Sequence, residues 1–269
     1  MSITHFERIQ ICCDDVYQSA SSFSKMLGRN PLWTGQYRLL DNAGRVCDHG
    51  ASVWFAFENT KIELCSSSQR QMQTGIAGVV MGCEPEQPLP QDFQQINAYR
   101  CVFSSVDGGV FEEDQFTLES SDRDGFLMTL VKTPWAYPVA DVEGDIARVD
   151  HLVLYSHDAQ TCIDRFGESG LGLRLALDQT VPEWGGRMLF FRIGKLTLEV
   201  IVPNDPMTRP DFFWGIAYQT HGLASTHERL LNAGVAVSDI RDGRKPGTRV
   251  ASLKSGDLGI PTLLLEPAR

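Results

Sequence analysis

Asp150 to Ser156, D-H-L-V-L-Y-S, is the stretch whose reading sets the architecture. Leu152 and Leu154 alternate with His151, Val153 and Tyr155, a period of two that predicts a strand. His157-Asp158 then supplies a helix start, Ala159 to Phe166 reads as a helix, and the glycines from Gly167 to Gly172 end it. Three runs rich in Leu, Phe, Ile and Val follow, Arg174 to Thr180, Arg187 to Ile193 and Lys195 to Val202, parted by Pro182, Trp184-Gly185-Gly186 and Gly194. The order is strand, helix, strand, strand, strand.

The same order returns downstream. Phe213 to Thr220 is a strand, Leu223 to Ala233 a helix closed by Gly234, and Val235 to Ile240, Arg249 to Leu253 and Pro261 to Glu266 are strands. Each pass takes about 58 residues, the length expected of one βαβββ unit. Upstream it is fainter: strand Phe6 to Cys13, a cap at Asp14-Asp15, helix Val16 to Leu27 ended by Gly28, then strands Tyr37 to Leu40, Val53 to Phe57 and Lys61 to Cys65. Gly75-Ile76-Ala77 repeats Gly215-Ile216-Ala217, and Asp124-Gly125-Phe126 before Leu127 to Val131 mirrors Leu258-Gly259-Ile260 before Pro261 to Leu265. Four units result, two per half. Pro134 to Gly144 carries two prolines and no periodicity, so the expected division is 1–135, a linker over 136–146, and 147–269.

Tandem pairs of such units resemble the vicinal oxygen chelate superfamily, which includes glyoxalase I, methylmalonyl-CoA epimerase, fosfomycin and bleomycin resistance proteins and extradiol dioxygenases. The resemblance rests on V-D-H-L-V-L at 149–154, K-L-T-L-E-V at 195–200, G-I-A-Y at 215–218 and P-T-L-L-L-E-P at 261–267. It implies an α+β fold in which each pair of units forms an open, curved eight-stranded sheet with the helices outside. It also implies metal ligands from the first and last strands of a unit, here His151, Glu199 and Glu266. Gly215 stands where a fourth, often His, is found, which counts against dioxygenase chemistry.

Strand alternation gives the same residues a physical reading. Two carboxylates and one imidazole converging in a cleft need a compensating charge, and a divalent cation supplies it. Mixed N and O donors suit Zn, Fe, Mn, Ni or Co. Taken singly, each residue has an ordinary alternative: a strand-end glutamate is commonly solvated, and a lone histidine on a sheet face is commonly a satisfied core group. In the first half the matching places hold Arg8, Glu63, Gly75 and Lys132, where fixed positive charge neutralises the carboxylate and repels a metal. Tyr155, Trp184, Trp214 and Tyr218 are the aromatics expected to line a substrate pocket.

Function follows as a metal-dependent isomerase or lyase acting on a small molecule with adjacent oxygens, with Glu199 and Glu266 moving the proton. The alternative is a metal-free, resistance-type binding protein. The charge of −10, from 34 acidic against 24 basic residues, argues against nucleic acid and anionic membranes as partners. The chain has no apolar run long enough to span a bilayer and no signal-peptide pattern at Met1 to Arg8, so a cytoplasmic monomer or homodimer is expected. Seven cysteines without a C-x-x-C pair read as small buried residues rather than a disulfide frame or zinc site. The glycines of Gly167 to Gly172 follow a helix, which fails the dinucleotide-loop test, and the basic loop Arg241 to Thr248 reads either as a solvated hairpin or as a clamp for an anion.

Overall fold

A computed structural model describes residues 3–66, 74–86, 97–118, 124–132, 144–181, 183, 185–254 and 258–268. The first unit is β1 (Ile3–Cys12), α1 (Val16–Leu27), β2 (Trp33–Leu40), β3 (Val46–Ala56) and β4 (Lys61–Cys65). In the second, the described residues form β5 (Gly75–Cys83), β6 (Asn97–Ser105), β7 (Val110–Thr117) and β8 (Leu127–Lys132). The third is β9 (Ile146–Tyr155), α2 (Ala159–Phe166), β10 (Arg174–Val181), β11 (Gly186–Ile193) and β12 (Leu196–Pro203). The fourth is β13 (Phe212–Thr220), α3 (Leu223–Asn232), β14 (Arg241–Asp242), β15 (Arg249–Ser252) and β16 (Thr262–Glu266). Most of the expected linker, 136–143, lies outside the described residues, and Ile146 already belongs to β9.

Local chemistry explains the helices. Asp15 accepts the amide of Gln18 to start α1 and Gly28, at φ 66°, ends it; Asp158 caps α2 through Thr161. Each helix buries one stripe, such as Leu223, Thr226 and Leu230 of α3, against one face of a sheet. Among the described residues the opposite sheet face is free of helices, and it is there that the two halves differ.

Both sheets have eight strands, ordered β1-β4-β3-β2-β6-β7-β8-β5 and β10-β11-β12-β9-β13-β16-β15-β14. The C-terminal sheet is open, as expected; the N-terminal one is a closed barrel, which corrects the expectation of two open sheets. The cause is the edge strands. β2 and β6 are long and pair from Gly35↔Ser105 to Leu40↔Arg100, which removes both edges. Their counterparts are β10 and β14, and β14 is two residues long, so nothing matches the length of β10. The expected strand Val235 to Ile240 is reduced to an isolated bridge, Val237↔Leu253.

The halves pack on one continuous core. Phe57 meets Tyr218 at 5.4 Å between ring centroids, and Phe126 meets Phe213 at 4.7 Å. Buried Arg29 donates to the carbonyls of Ala56 and Ile146, and Asn59 brackets the backbone of Val149 at 2.7 and 3.1 Å, so polar ties cross the same boundary. Arg165 adds a bidentate pair to Asp124 at 2.7 and 2.9 Å. Among the described residues no helix is long and apolar enough to cross a membrane.

Candidate functional site

In β9, Val149 pairs with Tyr218 and His151 with Ala217, so Asp150 is the extra residue of a β-bulge. A bulge turns two consecutive side chains toward one face. Asp150 and His151 thereby both leave the core, which takes Val149 and Leu152 on either side of them. On the neighbouring parallel strand, Glu199 pairs with Val153 and shares the helix-free face.

The three side chains form a chain. Asp150 Oδ2 lies 3.0 Å from His151 Nδ1, and His151 Nε2 lies 3.8 Å from Glu199 Oε2. Burial pushes the Asp150 carboxyl up, but the hydrogen bond from His151, with the charges of His151, Arg148 and Arg192, outweighs it and holds the group below the usual carboxylate range. An ionised Asp150 accepts the Nδ1 proton and leaves Nε2 directed at Glu199. For Glu199 the balance reverses: burial raises its carboxyl above the usual range, only partly offset by His151 and by Arg244 of the β14–β15 loop. A carboxyl so placed exchanges a proton more readily near neutral pH than a solvated one. Both groups remain partly open, at 21% side-chain exposure for His151 and 16% for Glu199.

An aromatic group borders the same face. Tyr155 stacks on Phe212 at 5.5 Å and meets Trp214 at 5.9 Å, and Trp214 is 44% exposed. Tyr155 and Trp214, expected to line a substrate pocket, lie together on this face with Phe212. Tyr218 is instead buried against Phe57 on the core side, and Trp184 lies outside the described residues.

The N-terminal barrel repeats this plan with different chemistry. Phe6 pairs with Met81 and Arg8 with Val80, so Glu7 is bulged as Asp150 is, and Glu63 pairs with Gln10 as Glu199 pairs with Val153. Arg8 is therefore the counterpart of His151. It is fully buried, donating from Nε to Glu63 at 3.0 Å and from Nη1 and Nη2 to Glu113 at 2.9 and 2.6 Å, over the rings of Trp54 and Phe103. Glu63 accepts further bonds from Gln10 and Ser52. Arg8 is the expected neutralising cation; Lys132 is exposed at the end of β8, and the second charge on Arg8 is a carboxylate, Glu113, which the sequence reading missed. The remaining cavity, about 40 Å³ beside Gln10, Tyr37, Asp48 and Gln115, has room for water but not for a substrate.

Among solved structures, a three-site variant of 4-hydroxymandelate synthase from Streptomyces coelicolor matches over 100% of this chain and 94% of its own, with TM-score 0.61 and 14% identity. The chain has the vicinal oxygen chelate fold. Methylmalonyl-CoA epimerase from Mycobacterium tuberculosis matches 46% of this chain and 90% of its own at 20% identity and TM-score 0.39. A selenomethionine methylmalonyl-CoA epimerase matches 47% and 99% at 16% identity and TM-score 0.41. No family model and no curated protein matches the sequence.

Among the described residues, those that this chain offers to a metal fall short of the expected set. His151 and Glu199 face each other, but the residue across from His151 is Ala217, not Gly215. Gly215 is a glycine for packing: a Cβ there would lie 2.6 Å from the Pro261 carbonyl oxygen. Its counterpart is Gly78, where a Cβ would lie 2.4 Å from the Leu127 carbonyl oxygen, so the G-I-A match to Gly75 was offset. In β16 the residues that share the helix-free face with Glu199 are Leu263 and Leu265, which pair with Ala217 and Gln219. Glu266 is one residue further, which reverses its face. There its Oε2 accepts the Leu223 amide at 2.7 Å, capping a helix whose own N-cap, Gly222, has no side chain, and both its oxygens meet Arg249 at 2.8 Å. The trio His151, Glu199 and Glu266 is thus split, and among the described residues no three His, Cys, Asp or Glu side chains are placed to hold a metal ion.

Proposed function

We propose that the helix-free face of the C-terminal sheet binds a small molecule with adjacent oxygens and moves a proton on it, in isomerase- or lyase-type chemistry, with Glu199 and His151 as the exchanging groups. The observation that carries this is the chain Asp150–His151–Glu199, in which the imidazole is held at Nδ1 and directed at a carboxyl of raised proton affinity 3.8 Å away. Glu199 takes a proton from carbon beside a carbonyl, His151, as an imidazolium stabilised at Nδ1 by Asp150, donates from Nε2 to the developing enolate oxygen, and Glu199 returns the proton to carbon. Among the described residues two donors without a third leave the metal-assisted version of this reaction without a complete protein site. Glu266 has no part in the step, because Arg249 and the α3 terminus occupy it.

The test is deuterium wash-in. A panel of small dicarbonyl and 2-hydroxy carbonyl compounds is incubated with the protein in D2O and the carbon-bound protons are followed by NMR. The expected result is protein-dependent loss of one proton signal, abolished in Glu199→Gln, cut by about 10²-fold or more in His151→Ala and unchanged in Glu266→Gln. Equal exchange in wild type and Glu199→Gln would overturn the assignment. The group of half-buried Tyr155 and Phe212 with exposed Trp214 favours a second reading, a protein that sequesters an apolar ligand without turning it over. In that case quenching of Trp214 fluorescence by a bound compound would survive Glu199→Gln and no exchange would accompany it.

A further inference from the structure

Arg174 of β10 and Arg192 of β11 stand directly opposite each other. Leu175 and Phe191, their chain neighbours, turn into the core, so the two guanidinium groups lie on the helix-free face. They sit in the row that runs Arg174, Arg192, Thr197, His151, Ala217 across five strands. Both are exposed, and neither makes a hydrogen bond or ion pair among the described residues. Like charges directly opposite in an antiparallel pair destabilise a sheet, and here no carboxylate bridges them. Asp150, bulged out beside the row, feels the charge of Arg192 but is hydrogen-bonded to His151 at 3.0 Å and lies 3.8 Å from Arg148.

We propose that Arg174 and Arg192 form an oxyanion subsite that grips a phosphate-type dianion on the small molecule whose proton Glu199 and His151 move. Adjacent strands lie about 4.8 Å apart, so two forked guanidiniums can close on one tetrahedral group from both sides. Two strand spacings separate Arg192 from His151, which places the anion about 10 Å from the reacting carbon. The subsite rests on the proton-transfer reading for its role, but its binding can be measured alone.

Inorganic phosphate, sulfate and acetate are titrated at low ionic strength into wild type, Arg174→Gln, the Arg174→Gln/Arg192→Gln double variant and Glu199→Gln, with thermal midpoint and the arginine Nε–H resonances as readouts. Phosphate and sulfate should raise the midpoint of wild type and Glu199→Gln alike, acetate much less, and the double variant should bind phosphate about tenfold or more weakly. Without ligand, Arg174→Gln should melt at or above wild type, because the like-charge contact is relieved. Phosphate should move the Nε–H signals of Arg174 and Arg192 and leave that of Arg8 in place, which holds even if a variant folds poorly. Equal phosphate midpoints in wild type and double variant, or unmoved Arg174 and Arg192 signals at tens of millimolar phosphate, would overturn the subsite. Phosphate binding that persists while Glu199→Gln leaves deuterium exchange intact would sink the proton-transfer reading and keep the subsite; exchange lost in Glu199→Gln with no phosphate response would do the reverse.

Discussion

Arg8 and His151 occupy the same place in two sheets of the same plan, each after a bulged acidic residue and each beside the glutamate of the neighbouring parallel strand. In the barrel the position is filled by a fixed cation, fully buried and saturated by Glu63 and Glu113. In the open sheet it is filled by a titratable ring, partly exposed, and its carboxylate partner keeps a raised proton affinity. One substitution of residue type, together with the length of an edge strand, separates a packed lumen from a reachable polar face. The difference teaches that one strand plan can hold either a packed ion cluster or a reachable titratable pair.

The largest expected effect comes from breaking the barrel's version. Arg8→Met leaves buried Glu63 and half-buried Glu113 without their cation and should cost about 3–5 kcal/mol of stability, whereas His151→Ala should cost under about 1 kcal/mol. Denaturant unfolding measures both, and Glu63→Gln with Glu113→Gln in the Arg8→Met background should recover much of the loss. A loss below about 1 kcal/mol for Arg8→Met alone would mean that the ion cluster is not what fills the lumen.

The next sharpens the account of the metal ligands. Ala217→His puts an imidazole across from His151 and should create a three-donor site, so that Zn²⁺ or Co²⁺ at about 100 times its dissociation constant stabilises the variant by about 2.7 kcal/mol. Gly215→His should gain no such response and should lose about 1–3 kcal/mol by overpacking against Pro261. The metal dependence of thermal unfolding distinguishes the two positions, and a metal response confined to Gly215→His would reverse the register argument.

Acid titration separates the halves by sign. In the barrel, Glu7 is pulled down to about 2: burial pushes its carboxyl up, and the hydrogen bond from His5 with the charges of Lys61 and Arg8 more than offsets this. The folded state therefore binds fewer protons there than the unfolded chain, and the stability Glu7 gives is present above about pH 4.3 and lost as pH falls toward 2. Glu199 is raised, so the folded state binds more protons there, and stability falls as pH climbs from about 4.3 through its folded value. Glu199→Gln should accordingly raise the melting temperature at pH 7 and leave it unchanged at pH 4, whereas Glu7→Gln should lower it at pH 7. The smallest effect belongs to Glu266→Gln, about 1 kcal/mol of helix capping and ion pairing, with ligand response unaltered.

Much of this was legible in the sequence, and the rest failed for identifiable reasons. His151 and Glu199 sit in strands where leucines or valines alternate with polar residues, so phase and face could be read. Thr262 to Glu266 places three leucines in succession, which erases the phase, and Glu266 was assigned to the wrong face. The G-I-A triplet at Gly75 matched by identity rather than by register; only close approach of the Leu127 carbonyl singles out Gly78. Closure of the barrel depends on β6 and β7, and β7 reads V-F-E-E-D-Q-F-T, a charged run that hides an inward Glu113. The bulge at Asp150 has no composition signal, so the third member of the polar chain and the arginine pair beyond it surfaced only with the register.

The most direct single test is a site-resolved titration of the Glu199 side-chain carboxyl by carbon NMR, followed together with the His151 ring. A midpoint above the ordinary glutamate value of about 4.3, with His151 Nε2 responding in the same step, is the predicted result. A midpoint at or below that value, or a His151 ring indifferent to it, would show two independent surface groups and contradict the proton-exchanging pair.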